Sequence, residues 1–306
     1  MNNNQAVRID RLIPEIPAPG KRMKLIIDTD VGNEIDDFYA IALALASPER
    51  FNILGICGAQ YNNGRPGSGP DSIKYSVKLT HDLLAAADMQ GKYPVLHGSP
   101  PTQYFGFPVE SEGSGFIIEE AKKASPDDPV WVVVLGAAST TASAILTDPS
   151  ITENIRVVFH TRCDHNWPQR STQFNLSGDI HAARSILESR VPLVWFDTGT
   201  HIKCIYEMTK KYLAPISPLG KFLHDYRDKS PAYASPMKGF FDMGDIAFLI
   251  DPGICKTETT MAPCMDKYMY FDFTKSSGKM LRVFEIDNEA VWNMLFTRLK
   301  KLARKA

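Results

Sequence analysis

The sequence predicts an α/β fold, a mostly parallel sheet flanked by helices, and three features of the chain support this. Continuous apolar runs rich in Val, Ile and Leu recur along it, the pattern of strands buried on both faces. Amphipathic or alanine-rich stretches of helical period separate those runs. No internal repeat or low-complexity linker intervenes, and 306 residues, 44% of them hydrophobic, suffice for a sizeable core.

Residues 1–23 are polar and dotted with proline, and are expected to form an N-terminal arm ahead of one domain spanning 24–306. KLIID (24–28) is the first strand, and an apolar helix follows over 36–46. FNILGICGA (51–59) is the second strand; it leads through a glycine-rich loop into the helical pattern SIKYSVKLTHDLLAAA (72–87). VWVVVLGA (130–137) precedes the helix STTASAILT (139–147), and IRVVFH (155–160) precedes DIHAARSILE (179–188), with VPLVWFDTG (191–199) after it. Residues 206–250 read mainly as helix. MYFDF (269–273) and KMLRVFEID (279–287) predict a late β-hairpin around Ser276 and Gly278, and a closing helix spans 288–302.

A formal net charge of -1 offers no reason for nucleic acid or an anionic membrane as partner. The basic end, 298–305, reads as the solvated face of the last helix. No apolar run approaches the roughly 20 residues of a membrane span. The chain is expected in the cytoplasm, or exported by a leader removed ahead of residue 1. Its five cysteines are scattered, odd in number and without zinc-ligand spacing, so reduced thiols are expected.

The chemistry concentrates between the first strand and the first helix. Asp28 and Asp30 lie two apart on an extended segment and share a face. Asp36 and Asp37 stand where a helix should begin, after a turn containing Gly32 and Asn33. One aspartate would suffice to cap that helix. Several carboxylates crowded together repel one another unless a cation sits among them. With only oxygen donors in the stretch, that cation is expected to be hard, Ca²⁺ or Mg²⁺.

DTDVGNEIDDFYAIALAL (28–45) resembles the signature of the inosine-uridine-preferring nucleoside hydrolases, Asp-x-Asp-Pro-Gly-x-Asp-Asp before an Ala-Ile-rich helix. Val31 replaces the proline, and the turn is two residues longer. YPVLHG (93–98), VVVLGAASTTASAIL (132–146), TQFNLSGDIHAARSILES (172–189) and DMGDIAFLI (242–250) resemble later family motifs in the same order. The resemblance implies a Rossmann-like α/β fold and hydrolysis of the N-glycosidic bond of a nucleoside, or of another small-molecule glycoside. It also implies one Ca²⁺, with Mg²⁺ less suited, held by Asp30, Asp37, Asp245 and the backbone carbonyl of Leu135, with Asp28 in support. Asp36 would be the general base that takes a proton from water acidified by the cation. Counting residues from Asp30 instead places Glu34 at the family's spacing. A homo-oligomer is left open.

Asn175 matches an asparagine that contacts the sugar. Other substrate positions depart from the family: Gln173 stands for a glutamate, Gln60 for an asparagine, Gly244 for a histidine, and Asn166 (or Trp167) for a second sugar-contacting asparagine. Divergent specificity is therefore expected, and Gly244 should open space for a differently shaped leaving group. Two other readings compete: a non-catalytic, metal-containing carbohydrate- or nucleoside-binding protein of the same fold, and a phosphatase whose first strand also ends in Asp-x-Asp. The doubled Asp36-Asp37 has no role in the phosphatase.

Overall fold

A computed structural model describes residues 11–162, 165–229, 233–276 and 278–304. Seven described strands run parallel in the central sheet, the first six being Met23–Thr29 (β1), Phe51–Gly58 (β2), Val95–His97 (β3), Val130–Val134 (β4), Ile155–His160 (β5) and Leu193–Phe196 (β6). Two short ribbon pairs stand apart from it, Lys203–Ile205 (β7) with Met237–Gly239 (β8), and Cys264–Met265 (β10) with Phe271–Asp272 (β11). Cys255–Met261 (β9) and Lys279–Ile286 (β12) complete the sheet, whose order is β3-β2-β1-β4-β5-β6-β12-β9. Only the β12–β9 pair of this sheet is antiparallel.

The apolar runs explain this arrangement. VWVVV and IRVVFH are buried along their whole length, as strands covered on both faces must be. Helices Asp36–Leu45 (α1), Ser72–Ala86 (α2), Glu112–Lys122 (α3), Ser139–Thr147 (α4), Phe174–Gly178 (α5) and Ile180–Glu188 (α6) supply the crossovers and covers. Tyr206–Met208 (α7), Pro218–Asp228 (α8), Met243–Ile250 (α9) and Asn288–Ala303 (α10) follow. Beyond Asp36 and Asp37, helix α1 is apolar on every side, and every residue of it is buried, because α8, α9 and α10 pack around it. None of the described helices is long and apolar enough to cross a membrane.

One expectation is corrected. KMLRVFEI does not turn back on MYFDF: Lys279 faces Met261 and Ile286 faces Cys255, so its antiparallel partner is CKTETTM, while Phe271 pairs with Met265. That partner escaped the sequence pattern because it is an exposed edge strand, where threonines and charges replace an apolar face. Residues 206–250 are mainly helical, as expected. Within them, among the described residues, only the β8 segment, preceded by Pro236, is a strand, and it pairs with β7. Buried Arg227 clamps this ribbon, donating to the carbonyls of Cys204, Ile205, Tyr233 and Ser235.

Four cysteines, Cys57, Cys204, Cys255 and Cys264, are free thiols; Cys163 lies outside the described residues. Part of the N-terminal arm is held down. Arg11 donates to the carbonyls of Leu187 and Ser189, and Arg50 to those of Pro17, Ala18 and Lys21.

Candidate active site

The chain steps outward from β1 to β2 and β3, then crosses back to β4 on the other side of β1. The sheet order reverses there, opening a crevice beyond the carboxyl ends of β1 and β4. Asp28, opposite Val134 in register, is the next-to-last residue of β1, and Asp30 lies just past the strand. The turn that follows requires Gly32, whose φ is +103° and whose missing Cβ would meet Leu79 at 2.7 Å. Asn33 closes the turn, donating its N–H to the Asp30 carbonyl at 2.9 Å and its amide to Asp30 Oδ2 at 2.8 Å.

Asp36 and Asp37 form the first turn of α1, but Ile35 holds the capping position and makes no side-chain cap. Their carboxylates turn elsewhere. Thr29 Oγ1 donates to Asp37, and the Phe241 N–H donates to Asp36 Oδ2 at 3.0 Å. A cavity of about 130 Å³ opens here, with Asp30, Glu34, Asp36, Asp37, Leu135 and Asp242 on its wall. Oxygens of Asp36, Asp37 and Asp242 lie within 4.8 Å of one another.

Burial dominates the electrostatics of this cluster. It pushes Asp30 up to about 8, with the charges of Asp36 and Glu34 adding to the effect against the Asn33 hydrogen bond. Asp37 and Asp242 are raised well above the usual carboxylate range, first by burial and then by their acidic neighbours. Asp36 is raised by burial, with Lys238 pulling the other way. Asp36 Oδ1 is buried and, among the described residues, accepts from no protein donor. Crowded, dehydrated carboxylates with a free lone pair are what a divalent cation neutralises, so these residues fit one.

Asp28 is not part of the cavity wall. It accepts from Thr141 Oγ1 at 2.7 Å, and burial raises it to about 7. Asp245 does not reach the cavity wall. Its Oδ2 meets His160 Nδ1 at 2.7 Å, while His160 Nε2 lies 3.5 Å from Asp242. The late acid on the cavity wall is thus Asp242, three residues earlier. Both acids begin the same helix, and the sequence motif alone did not separate them.

Gln173 and Asn175 line the cavity, Gln173 as the cap of α5 through its Oε1. Asn175 donates to the Leu135 carbonyl at 2.5 Å. Glu34 lines it too, held between Arg65 and Lys238; burial raises its pKa, but these two cations more than offset that and hold it low. Gln60 and Asn166 are not brought in: Gln60 donates to the Gly178 carbonyl at 3.0 Å, and Asn166 to Thr172 Oγ1 at 3.2 Å. Gly244 opens no space, because a Cβ there would meet Phe196 at 2.7 Å and Ile202 at 2.9 Å.

Residues that sequence reasoning missed complete the wall, among them Asn63 and Arg65 from the loop after β2, and His160 and Arg162 at the end of β5. A ribbon also ties down the long turn. Tyr233 Oη donates to the Asn33 carbonyl at 3.1 Å, and Lys238 reaches Glu34.

Comparison with known proteins agrees with this arrangement. The sequence pattern of the family described as inosine-uridine preferring nucleoside hydrolase matches residues 25–293. An uncharacterized protein of Schizosaccharomyces pombe is 27% identical over 199 residues, which cover 56% of this chain and 60% of that protein. Among solved structures, a plant nucleoside hydrolase superposes with a TM-score of 0.72 at 18% identity, over 92% of this chain and 99% of its own. A purine-preferring ribonucleoside hydrolase from Gardnerella vaginalis gives 0.71 at 22% identity, over 92% and 100%. These likenesses establish the fold, and the family match extends over most of the chain. The chain belongs to the inosine-uridine preferring nucleoside hydrolase family.

Proposed function

We propose that the protein is a Ca²⁺-dependent hydrolase of an N-glycosidic, ribosyl-type bond, with a specificity different from that of ordinary inosine-uridine hydrolases. The observation that carries this reading is the orphaned Asp36 Oδ1, a buried carboxylate oxygen on a cavity it shares with Asp37 and Asp242. Asp30, Asp37, Asp242 and the Leu135 carbonyl would hold the cation, Asp28 would back the site through Thr141, and Asp245 would act through His160. When bound, the cation supplies a Lewis acid that acidifies water and fixes sugar hydroxyls. Asp36 takes the proton of the attacking water, and Asn175 and Gln173 orient the sugar.

Release of reducing sugar from a nucleoside panel tests the activity. A second reading, a non-catalytic binder, is favoured by Gln173, whose carbonyl oxygen is engaged in capping α5. Sugar binding without any release would establish it.

The cation has its own test. Asp30, near 8, and Asp28, near 7, hold protons in the folded protein that the unfolded chain gives up near pH 4. Without the cation, stability therefore falls as pH rises from about 4 to about 8. A bound cation removes that penalty, so the gain in melting temperature on adding Ca²⁺ should be larger at pH 8 than at pH 6. No gain at either pH overturns the metal assignment.

A further inference from the structure

Hydrolysis of an N-glycoside leaves negative charge on the departing group, and something on the cavity wall must meet it. The described cationic side chains there differ in what already holds them. Both ring nitrogens of His160 are turned on carboxylates, those of Asp245 and Asp242. Arg65 is engaged by Glu34 and the Asn33 carbonyl, and Lys238, behind it, by Glu34 and the Gly239 carbonyl. Arg162 is different. Among the described residues, no protein acceptor takes a hydrogen bond from its guanidinium, which lies over the Phe241 ring, 3.9 Å from the centroid.

The backbone holds Arg162 in place. Its φ is +32°, in the left-handed region that non-glycine residues rarely occupy, and its N–H donates to the Phe196 carbonyl at 3.1 Å. The same carbonyl accepts from the Thr161 N–H and hydroxyl. Strain of this kind persists where surrounding bonds over-determine it, as they often do at functional sites. The ring beneath the guanidinium belongs to the residue whose N–H holds Asp36. A half-buried, planar cation whose donors no described residue engages is thus placed beside the residue that takes the water's proton.

We propose that Arg162 faces the departing group and carries the negative charge that appears there, so that the preferred substrates are N-ribosides whose base leaves as an anion with acceptor atoms for a two-pronged donor. The inference rests on the hydrolase reading above and adds a leaving-group role. Water attacks C1′ and loses its proton to Asp36. The C1′–O bond forms as the C1′–N bond breaks, and the bonding pair stays on the ring nitrogen. Arg162 stays protonated throughout and acts by charge and hydrogen bonds; the released anion takes its proton from solvent.

The test compares two substrates in the Ca²⁺-loaded enzyme. Inosine loses an anionic base, whereas nicotinamide riboside, already cationic, loses a neutral one. Arg162→Gln should slow inosine hydrolysis by about 10²-fold and change nicotinamide riboside by less than about threefold. Arg162→Lys should recover about tenfold on inosine, since it restores the charge without the fork. Equal losses on both substrates, or none on either, overturn the proposal. So does weakened inhibition by ribose 5-phosphate in Arg162→Gln with the substrate ratio unchanged, which would assign Arg162 to an anionic substituent on the sugar. Wild-type protein inert on both substrates refutes the parent reading instead, and this one with it.

Discussion

Replacing Asp36 by Asn lowers kcat by about 10²-fold or more while the protein still binds its cation. The substitution keeps size and hydrogen-bonding shape and removes only basicity. Asp36 Oδ2 is fixed by the Phe241 N–H, and its other oxygen accepts from no donor among the described residues, as a base waiting for water requires. Glu34, the alternative by residue counting, is differently placed. Arg65 and Lys238 occupy its two oxygens and hold its pKa down, which makes it a poor proton acceptor. Glu34→Gln should therefore change kcat by less than about tenfold and mainly loosen the turn. Steady-state rates on a turned-over riboside, read beside the Ca²⁺-dependent melting gain, separate the two assignments. A large loss in Glu34→Gln with Asp36→Asn near wild type would reverse them.

The extra length of the turn carrying Glu34 has a structural counterpart. Tyr233, Lys238 and Phe241 all reach across from one segment to Asn33, Glu34 and Asp36, so the longer loop is bound at three points. Arg227, buried without a carboxylate, holds that segment through backbone carbonyls alone. The position of Asp36, the proposed base, thus depends on residues about two hundred positions away in sequence.

The parts of the fold legible in sequence were those whose burial imposes composition. The β1 and β4 runs and the α1 helix are apolar because nothing around them is water, and they place Asp28, Asp30, Asp36 and Asp37 before any coordinates are known. β9 was not legible, because an edge strand keeps contact with solvent and loses the apolar signature. Of the residues singled out from sequence, Asp30, Glu34, Asp36, Asp37, Gln173 and Asn175 lie on the cavity wall, beside His160, Arg65 and Arg162, which were not. Arg65 and Arg162 follow strand ends, where side-chain direction depends on turns that only tertiary contacts decide. Asp242 and Asp245 were confusable for another reason. They lie one helical turn apart, and which of them meets the cavity depends on where α9 begins.

Wild-type protein should hydrolyse inosine and uridine poorly, with kcat/KM below about 10⁴ M⁻¹s⁻¹. The cause argued here is Gln173. Its Oε1 accepts from the N–H groups of Asn175 at 2.6 Å and Leu176 at 3.2 Å, so the carbonyl end of the side chain is committed to capping α5. What it can offer a sugar on the cavity wall is a neutral amide. A carboxylate in the same place would cap the helix equally well and also accept charge-assisted hydrogen bonds from ribose hydroxyls. It would favour the positive charge that builds on the ring as the glycosidic bond stretches. One interaction of this kind is worth roughly 10²–10³ in rate. Gln173→Glu should therefore raise kcat/KM on inosine by about tenfold or more without lowering the melting temperature, because the cap survives. The increase should appear in kcat more than in KM, since the added charge acts on a cation that exists only near the transition state. A wild-type value above about 10⁴ M⁻¹s⁻¹ on either nucleoside, or a Gln173→Glu variant no faster than its parent, would show that the amide costs this site nothing.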